Sequence, residues 1–136
     1  MLTTVRSPGE SLRLIRKEAI ASGTAQTRGM TRFAGISKAT AGSRAIFMGE
    51  THVAPRQSSG PHHHGVSETC IYVVSGKPAF VYREAGERVR LQARPGDYIY
   101  VPPHVPHIEE NPHDEPAVIV LARTTQEAIV ENLDEL

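Results

Sequence analysis

The 136-residue sequence has no tryptophan, a single cysteine and few aromatic residues, which make up 5% of the chain. One cysteine cannot form an intrachain disulfide, so nothing indicates an oxidising compartment. Lys plus Arg and Asp plus Glu both number 15, which gives no electrostatic reason to expect nucleic acid or an anionic membrane as a partner. Long apolar runs and a signal-peptide pattern are also missing. These absences predict one cytoplasmic domain without nucleic-acid or membrane partners.

The order of short apolar segments predicts an all-β fold. Leu12, Ile15 and Ala19 have roughly helical spacing and predict a short amphipathic helix over about residues 10–21. After this helix the pattern changes to strands separated by glycine, proline and polar turns, which is typical of a β-sandwich or barrel. The predicted strands cover residues 30–36, 43–48, 52–55, 70–74, 79–83, 88–91, 98–101 and 117–122.

The sequence also predicts where some side chains of these strands lie in the fold. Cys70 lies in the unbroken apolar run 70–74, and free cysteines of this kind are usually buried and structural. The aromatic residues Phe80, Tyr82 and Tyr100 are expected in the core or in an interface, because large aromatic side chains dominate such surfaces.

Histidines form the chemically informative pattern. His62 and His64 are two residues apart, so on a strand both imidazoles project from one face while His63 turns away. The segment 102–107 contains His104 and His107 and is the comparable source of further ligands. Imidazoles bind iron, zinc, nickel, copper or manganese, and ligand type alone does not choose among these divalent ions.

Two blocks of the sequence resemble the paired motifs of the cupin superfamily. In the first, His62 and His64 match the paired histidines and Gly76 matches the closing glycine. In the second, the matching residues are Pro95, Gly96, Pro102, His107 and Asn111, and His104 replaces a glycine. The resemblance covers roughly residues 30–122. It implies a double-stranded β-helix, the cupin jelly-roll barrel, with His62, His64 and His107 as metal ligands.

One position departs from the family pattern. The family glutamate falls at Thr69, and the nearest carboxylate, Glu68, is one residue early. A one-residue slip on a strand turns a side chain to the opposite face, so Glu68 reaches the metal only if the chain is irregular there. The alternatives are a site with Glu68 and a site of three histidines plus water. His104 is either a base beside the ligands or a residue tolerated in a tight turn, so Glu68 and His104 are the catalytic candidates.

The resemblance also implies a range of functions. Cupins include dioxygenases, decarboxylases, isomerases, epimerases, lyases and binding proteins, and the fold does not choose among them. We expect a metal-dependent enzyme acting on a small organic molecule, most plausibly a dioxygenase. The alternatives are a non-catalytic small-ligand or metal-binding module, or a sugar isomerase, epimerase or lyase. The predicted organisation is an N-terminal extension (1–26) with dimer contacts, a barrel (27–124) and a tail (125–136), forming a homodimer.

Overall fold

The computed structural model describes residues 11–20, 22–125 and 130–136, and most of its regular structure is β-strand. The N-terminal part contains a 3-10 turn, Lys17–Ala19, and a short helix α1, Lys38–Ala41. The strands in chain order are β1 Met30–Ile36, β2 Phe47–Val53, β3 Gln57–Ser58, β4 His62–His63, β5 Thr69–Ser75, β6 Ala79–Glu84, β7 Glu87–Gln92, β8 Tyr98–Val101, β9 Ile108–Asn111, β10 Ala117–Arg123 and β11 Glu131–Asn132.

The strands form two main antiparallel sheets that enclose the core. A five-stranded sheet has the order β1-β2-β10-β5-β8, and a four-stranded sheet has the order β3-β9-β6-β7. The short strands β4 and β11 pair beside them. This arrangement is a jelly-roll β-barrel, which confirms the all-β, double-stranded β-helix prediction.

Side-chain alternation along the central strands creates the core. In β2, β5 and β10 every second residue is buried, because successive side chains of a strand point to opposite faces of the sheet. Phe47, Val73 and Ile119 belong to the resulting cluster, and Phe80 joins it from the other sheet. Cys70 lies on the opposite face of β5 and is exposed, so the expectation of a buried cysteine was wrong.

A glycine of the first motif explains how the chain leaves β5. Gly76 has φ +78°, and a Cβ placed there would lie 2.6 Å from the Cα of Ala117 and 2.7 Å from the carbonyl oxygen of Pro116. Both the left-handed conformation and the close approach of β10 therefore require a residue without a side chain. This turn leads into β6, which forms one wall beside the histidines.

The N-terminal segment differs from its prediction. In place of a helix over 10–21, the described residues form only the turn Lys17–Ala19. Leu12 is 102% exposed and Leu14 is 74% exposed, so these apolar side chains give a helix no buried face, and a short helix gains most of its stability from packing. No helix in the described ranges has the length and apolar character needed to cross a membrane.

The chain between β1 and β3 also differs from its prediction. One continuous strand, β2 Phe47–Val53, replaces the predicted strands 43–48 and 52–55, and residues 43–46 and 54–55 are not strand. Helix α1 was not predicted, although Ser37 and Thr40 form a capping box at its start, in which each side chain bonds the backbone of the other.

Candidate metal centre

Backbone pairing brings the two histidine segments together. His62 and His107 form a β-bridge, in which His62 N donates to His107 O at 3.0 Å and His107 N donates to His62 O at 2.9 Å. His62 lies in the short strand β4, and His107 follows a turn and directly precedes β9. The bridge therefore fixes the relative position of two side chains that are distant in sequence.

The rings of His62 and His107 are oriented by backbone carbonyls. His62 Nδ1 lies 2.9 Å from Gly60 O, and His107 Nδ1 lies 3.0 Å from Val105 O. A carbonyl only accepts hydrogen bonds, so each Nδ1 carries the proton and each Nε2 keeps its lone pair. Such carbonyl contacts are typical of histidines that bind metals.

The third ring completes a compact cluster. His64 lies with its ring centroid 5.3 Å from that of His62 and 5.1 Å from that of His107. One nitrogen from each ring can be chosen so that all three lie within 4.8 Å of one another, and all three residues are buried. The predicted convergence of His62, His64 and His107 is therefore present in the folded chain.

The surroundings keep the three imidazoles neutral. Burial, with smaller contributions from His107 and Arg32, lowers the pKa of His62 to about 3. Burial also lowers the pKa of His107 to about 4 and that of His64 still further. Desolvation disfavours the charged form of a buried histidine. Neutral imidazole is the form that binds a metal ion.

A small cavity lies against these rings, and we call it the histidine cavity. Its volume is about 10 Å³, the space that about one water-sized sphere needs. Four buried polar atoms of cavity-lining residues have no hydrogen-bond partner: His64 Nδ1, Thr51 Oγ1, Thr69 Oγ1 and Glu109 Oε1. Buried polar atoms are rarely left without partners in proteins. The three neutral donors and the unpaired oxygens fit a cation with associated water.

Two charged side chains of this cavity were not among the predicted site residues. Arg32 from β1 and Glu109 from β9 are both almost completely buried. Burial raises the pKa of Glu109 to about 7, although Arg32 acts in the opposite direction, and burial lowers the pKa of Arg32 to about 10. The two-residue spacing from His107 could have indicated that Glu109 shares its face.

The other candidate residues lie outside the cluster. Glu68 is exposed, and its Oε1 accepts a hydrogen bond from the Tyr100 hydroxyl at 2.7 Å, whereas Thr69 is buried and lines the cavity. A ligand role for Glu68 stays a prediction, and it would require this side chain to leave Tyr100.

The rings of His63 and His104, the other two histidines of the motif segments, lie near each other and outside the cluster. The ring of His63 contacts Glu131 at 3.0 Å and lies 5.8 Å from the ring of His104. His104 is exposed and has φ +61°. A base role for His104 stays a prediction, and this geometry gives it no contact with the three-histidine cluster.

A second, larger space opens beside His107, and we call it the apolar pocket. Its volume is about 310 Å³, within the range of small-molecule sites. Its lining includes Phe80, Leu91, Ile99 and Val101, together with Tyr82 and His107. Phe80 and Tyr82 therefore line a candidate ligand site. The sequence predicted them only in the core or an interface.

Comparison with solved structures places the fold among known proteins. Three structures of oxalate decarboxylase, two of them of the Bacillus subtilis enzyme, resemble this chain with a TM-score of 0.69 and 23–24% identity. One concerns the Mn(II) centres of that enzyme, one its structure at pH 4.6, and one its substrate binding mode. The match covers 81% of this chain but only 29–30% of the decarboxylase chains, so the likeness establishes the fold and not the reaction.

Comparison with protein families is more specific. No curated protein matches this sequence. The family model of the cupin domain, however, matches residues 49–123, which is more than half of the chain and includes all three clustered histidines. The jelly-roll barrel and this match lead to the same conclusion: the chain belongs to the cupin family.

Proposed function

We propose that this cupin binds a divalent transition-metal ion through His62, His64 and His107 and is an enzyme that acts on a small organic molecule. The observation that carries the proposal is the convergence of three neutral, buried imidazoles beside a pocket that opens next to one of them. Three protein ligands leave coordination positions for substrate, a pattern typical of catalytic rather than structural metal sites.

In such an enzyme, the histidine cavity would bind the metal ion and the apolar pocket would bind the substrate. The histidine cavity holds an ion or a water but is too small for an organic molecule. The substrate therefore occupies the apolar pocket and reaches the centre past His107. Aliphatic and aromatic walls select a compact molecule with a largely apolar body. Oxalate, a small dianion, has no apolar body to bury against these walls, to which Arg83 adds one cation.

Dioxygenase chemistry is the most plausible reaction on this basis. A bound redox-active ion such as iron would supply activation of dioxygen. The chain's own residues would orient the organic substrate, exclude water from the pocket, and keep the imidazoles neutral through burial. A lyase reaction is the second candidate, because the oxalate decarboxylases share this fold.

The direct test is to load the purified protein with Fe(II), Mn(II), Zn(II), Ni(II) or Cu(II) and to measure the bound metal. Oxygen consumption is then followed with a panel of phenols, aromatic acids and aliphatic diketones, and carbon dioxide release is measured in parallel. Metal-dependent oxygen uptake supports the dioxygenase. Carbon dioxide release without oxygen uptake supports the lyase, and tight metal binding with no turnover supports the non-catalytic module. A wild-type protein that binds none of these ions would contradict the proposal.

We also propose that the protein is a homodimer. Apolar side chains remain exposed on the outer face of the five-stranded sheet, including Tyr72, Val74 and Tyr98. Strand β1 is at the edge of this sheet, and exposed edges tend to pair with another chain. Residues 25–33 and this face would form the contact. Light scattering at micromolar concentration should give twice the monomer mass, and Tyr98→Glu should give the monomer. A monomeric wild type would contradict this.

A further inference from the structure

We infer that Glu109, on β9, supplies the negative charge that the glutamate at the start of β5 supplies in other cupins, as a partner beside the metal centre and not as a ligand. Its negative charge stabilises a divalent ion held by the three histidines. This inference rests on the proposed metal site and adds a residue that the two cupin motifs do not contain.

Position 69, where other cupins have the glutamate, has no carboxylate in this chain. Thr69 occupies it, faces the histidine cavity and leaves its hydroxyl oxygen without a partner. The neighbouring Glu68 is exposed and bonds Tyr100. Three neutral imidazoles carry no charge to compensate a divalent ion, so a centre of histidines alone would leave two positive charges buried, which is costly.

Glu109 lies where such compensation is needed. It is 3% exposed and lines the cavity together with all three histidines. Its backbone is fixed, because Glu109 N donates to Ser59 Oγ at 2.9 Å and its carbonyl accepts from Ser59 N at 2.8 Å. One carboxylate oxygen, Oε1, has no hydrogen-bond partner. A buried carboxylate with one unpartnered oxygen, carried on a backbone that two hydrogen bonds fix, is suited to interact with a cation.

The simpler alternative is that Glu109 only neutralises Arg32. Arg32 attracts Glu109 electrostatically, but it makes its hydrogen bonds elsewhere, because its Nη1 donates to Thr27 Oγ1 at 2.7 Å and to Ala25 O at 3.3 Å. The salt bridges of the described residues do not include an Arg32–Glu109 pair. The two charges share the cavity without direct contact, so the carboxylate remains available.

Glu109 acts beside the histidine triad and not as a fourth member of it. The compact group whose ligand atoms all lie within 4.8 Å of one another consists of the three histidines. We therefore assign Glu109 a positioning and charge-compensating role. Removal of such a partner of a metal site typically lowers metal affinity by about 10–100-fold.

The test compares Glu109→Gln with Glu110→Gln. Glu110 is the next residue of β9, faces the opposite way and pairs with Arg90 at 3.2 Å. Mn(II) and Zn(II) affinities are measured by chelator competition, and the thermal stability of the metal-free proteins is measured separately. We expect Glu109→Gln to lose about 10–100-fold in affinity and Glu110→Gln to match the wild type. Adding Thr69→Glu to Glu109→Gln should restore part of the affinity.

Two outcomes overturn the inference while leaving the three-histidine site intact. One is wild-type affinity in Glu109→Gln, and the other is an equal loss in both variants. If Glu109→Gln does not fold, the metal-induced infrared difference spectrum of the wild type decides the question. A shift in a buried carboxylate band supports the inference, and an unchanged carboxylate region overturns it. Failure of the wild type to bind any metal would instead contradict the proposed function.

Discussion

The histidine cavity and the apolar pocket share His107 but differ in nearly every other property. The cavity has room for about one ion or water and contains four charged or hydroxyl side chains, Arg32, Thr51, Thr69 and Glu109. The pocket is about thirty times larger by the ratio of the two volumes, 310 and 10 Å³, and its walls are mostly aliphatic and aromatic. In the proposed function, the residues that bind the metal therefore differ from those that select the substrate, apart from His107, which lines both spaces. Substitutions should therefore change one property without the other.

The largest effect is expected from removing a clustered imidazole. His62→Ala, His64→Ala and His107→Ala should each abolish tight metal binding, with a loss greater than the roughly 100-fold expected for an outer partner, because two imidazoles are too few protein ligands. His63→Ala is the matched control, since its ring contacts Glu131 instead. Metal content and chelator competition measure the result. Loss of metal in His63→Ala with retention in His64→Ala would mean that the strand register is wrong.

The next largest effect is expected on the binding of a small organic ligand in the apolar pocket, with no change in metal binding. Leu91 lines the pocket and is 44% exposed, so Leu91→Trp should fill the pocket without disturbing the core. Glu87→Trp, at an exposed position of the same strand outside the pocket lining, is the matched control. We expect Leu91→Trp to weaken binding of 4-fluorophenol by about tenfold, or about 1.4 kcal/mol, with unchanged metal content. Fluorine NMR of the Mn(II)-loaded protein measures both proximity and affinity, and equal binding by both variants would contradict the pocket assignment.

In the metal-free protein, the pH dependence of the unfolding free energy should reflect the buried groups of the histidine cavity and not the apolar pocket. The pKa values of His62 and His107 are lowered to about 3 and about 4, from an ordinary value near 6.5. The unfolded chain therefore binds protons that the folded chain does not, and stability falls as pH drops from about 6.5 to 4. Each imidazole contributes a slope of about 1.4 kcal/mol per pH unit.

Glu109 acts in the opposite direction over part of this range. Its pKa is raised from 4.5 to about 7, so its contribution to stability is lost as pH rises through that interval, and it offsets about one imidazole. Urea unfolding between pH 4 and 8 measures the net slope. Glu109→Gln should steepen the fall toward acid, and His64→Phe should flatten it. A stability curve that is flat below pH 6.5 would contradict a cavity of buried neutral histidines.

The site was predictable where alternation along a strand is unambiguous. His62 and His64 have two-residue spacing, and the second motif supplied His107, so the cluster follows from the sequence. The segment that contains Glu109 is short and charged, Ile-Glu-Glu-Asn, and its strand β9 was not predicted. In the apolar run 70–74 both faces are hydrophobic, so the sequence did not show that Cys70 faces outward. The predicted N-terminal helix is absent from residues 11–20 because Leu12 and Ala19, which would lie on its apolar face, are exposed.

The smallest effect should come from Glu68, and it tests whether the cavity ends at Thr69. Glu68 has the family's residue type one position early, but its side chain is exposed and bonds the Tyr100 hydroxyl. A glutamine oxygen still accepts from the Tyr100 hydroxyl and the side chain lies outside the cavity, so Glu68→Gln should leave metal affinity within about twofold of the wild type, an effect well below 1 kcal/mol. Tyr100→Phe, which removes the hydrogen bond and keeps the carboxylate, is its control. A large fall in affinity in Glu68→Gln alone would mean that this carboxylate turns inward when metal binds, and the charge assigned to Glu109 would then come from Glu68.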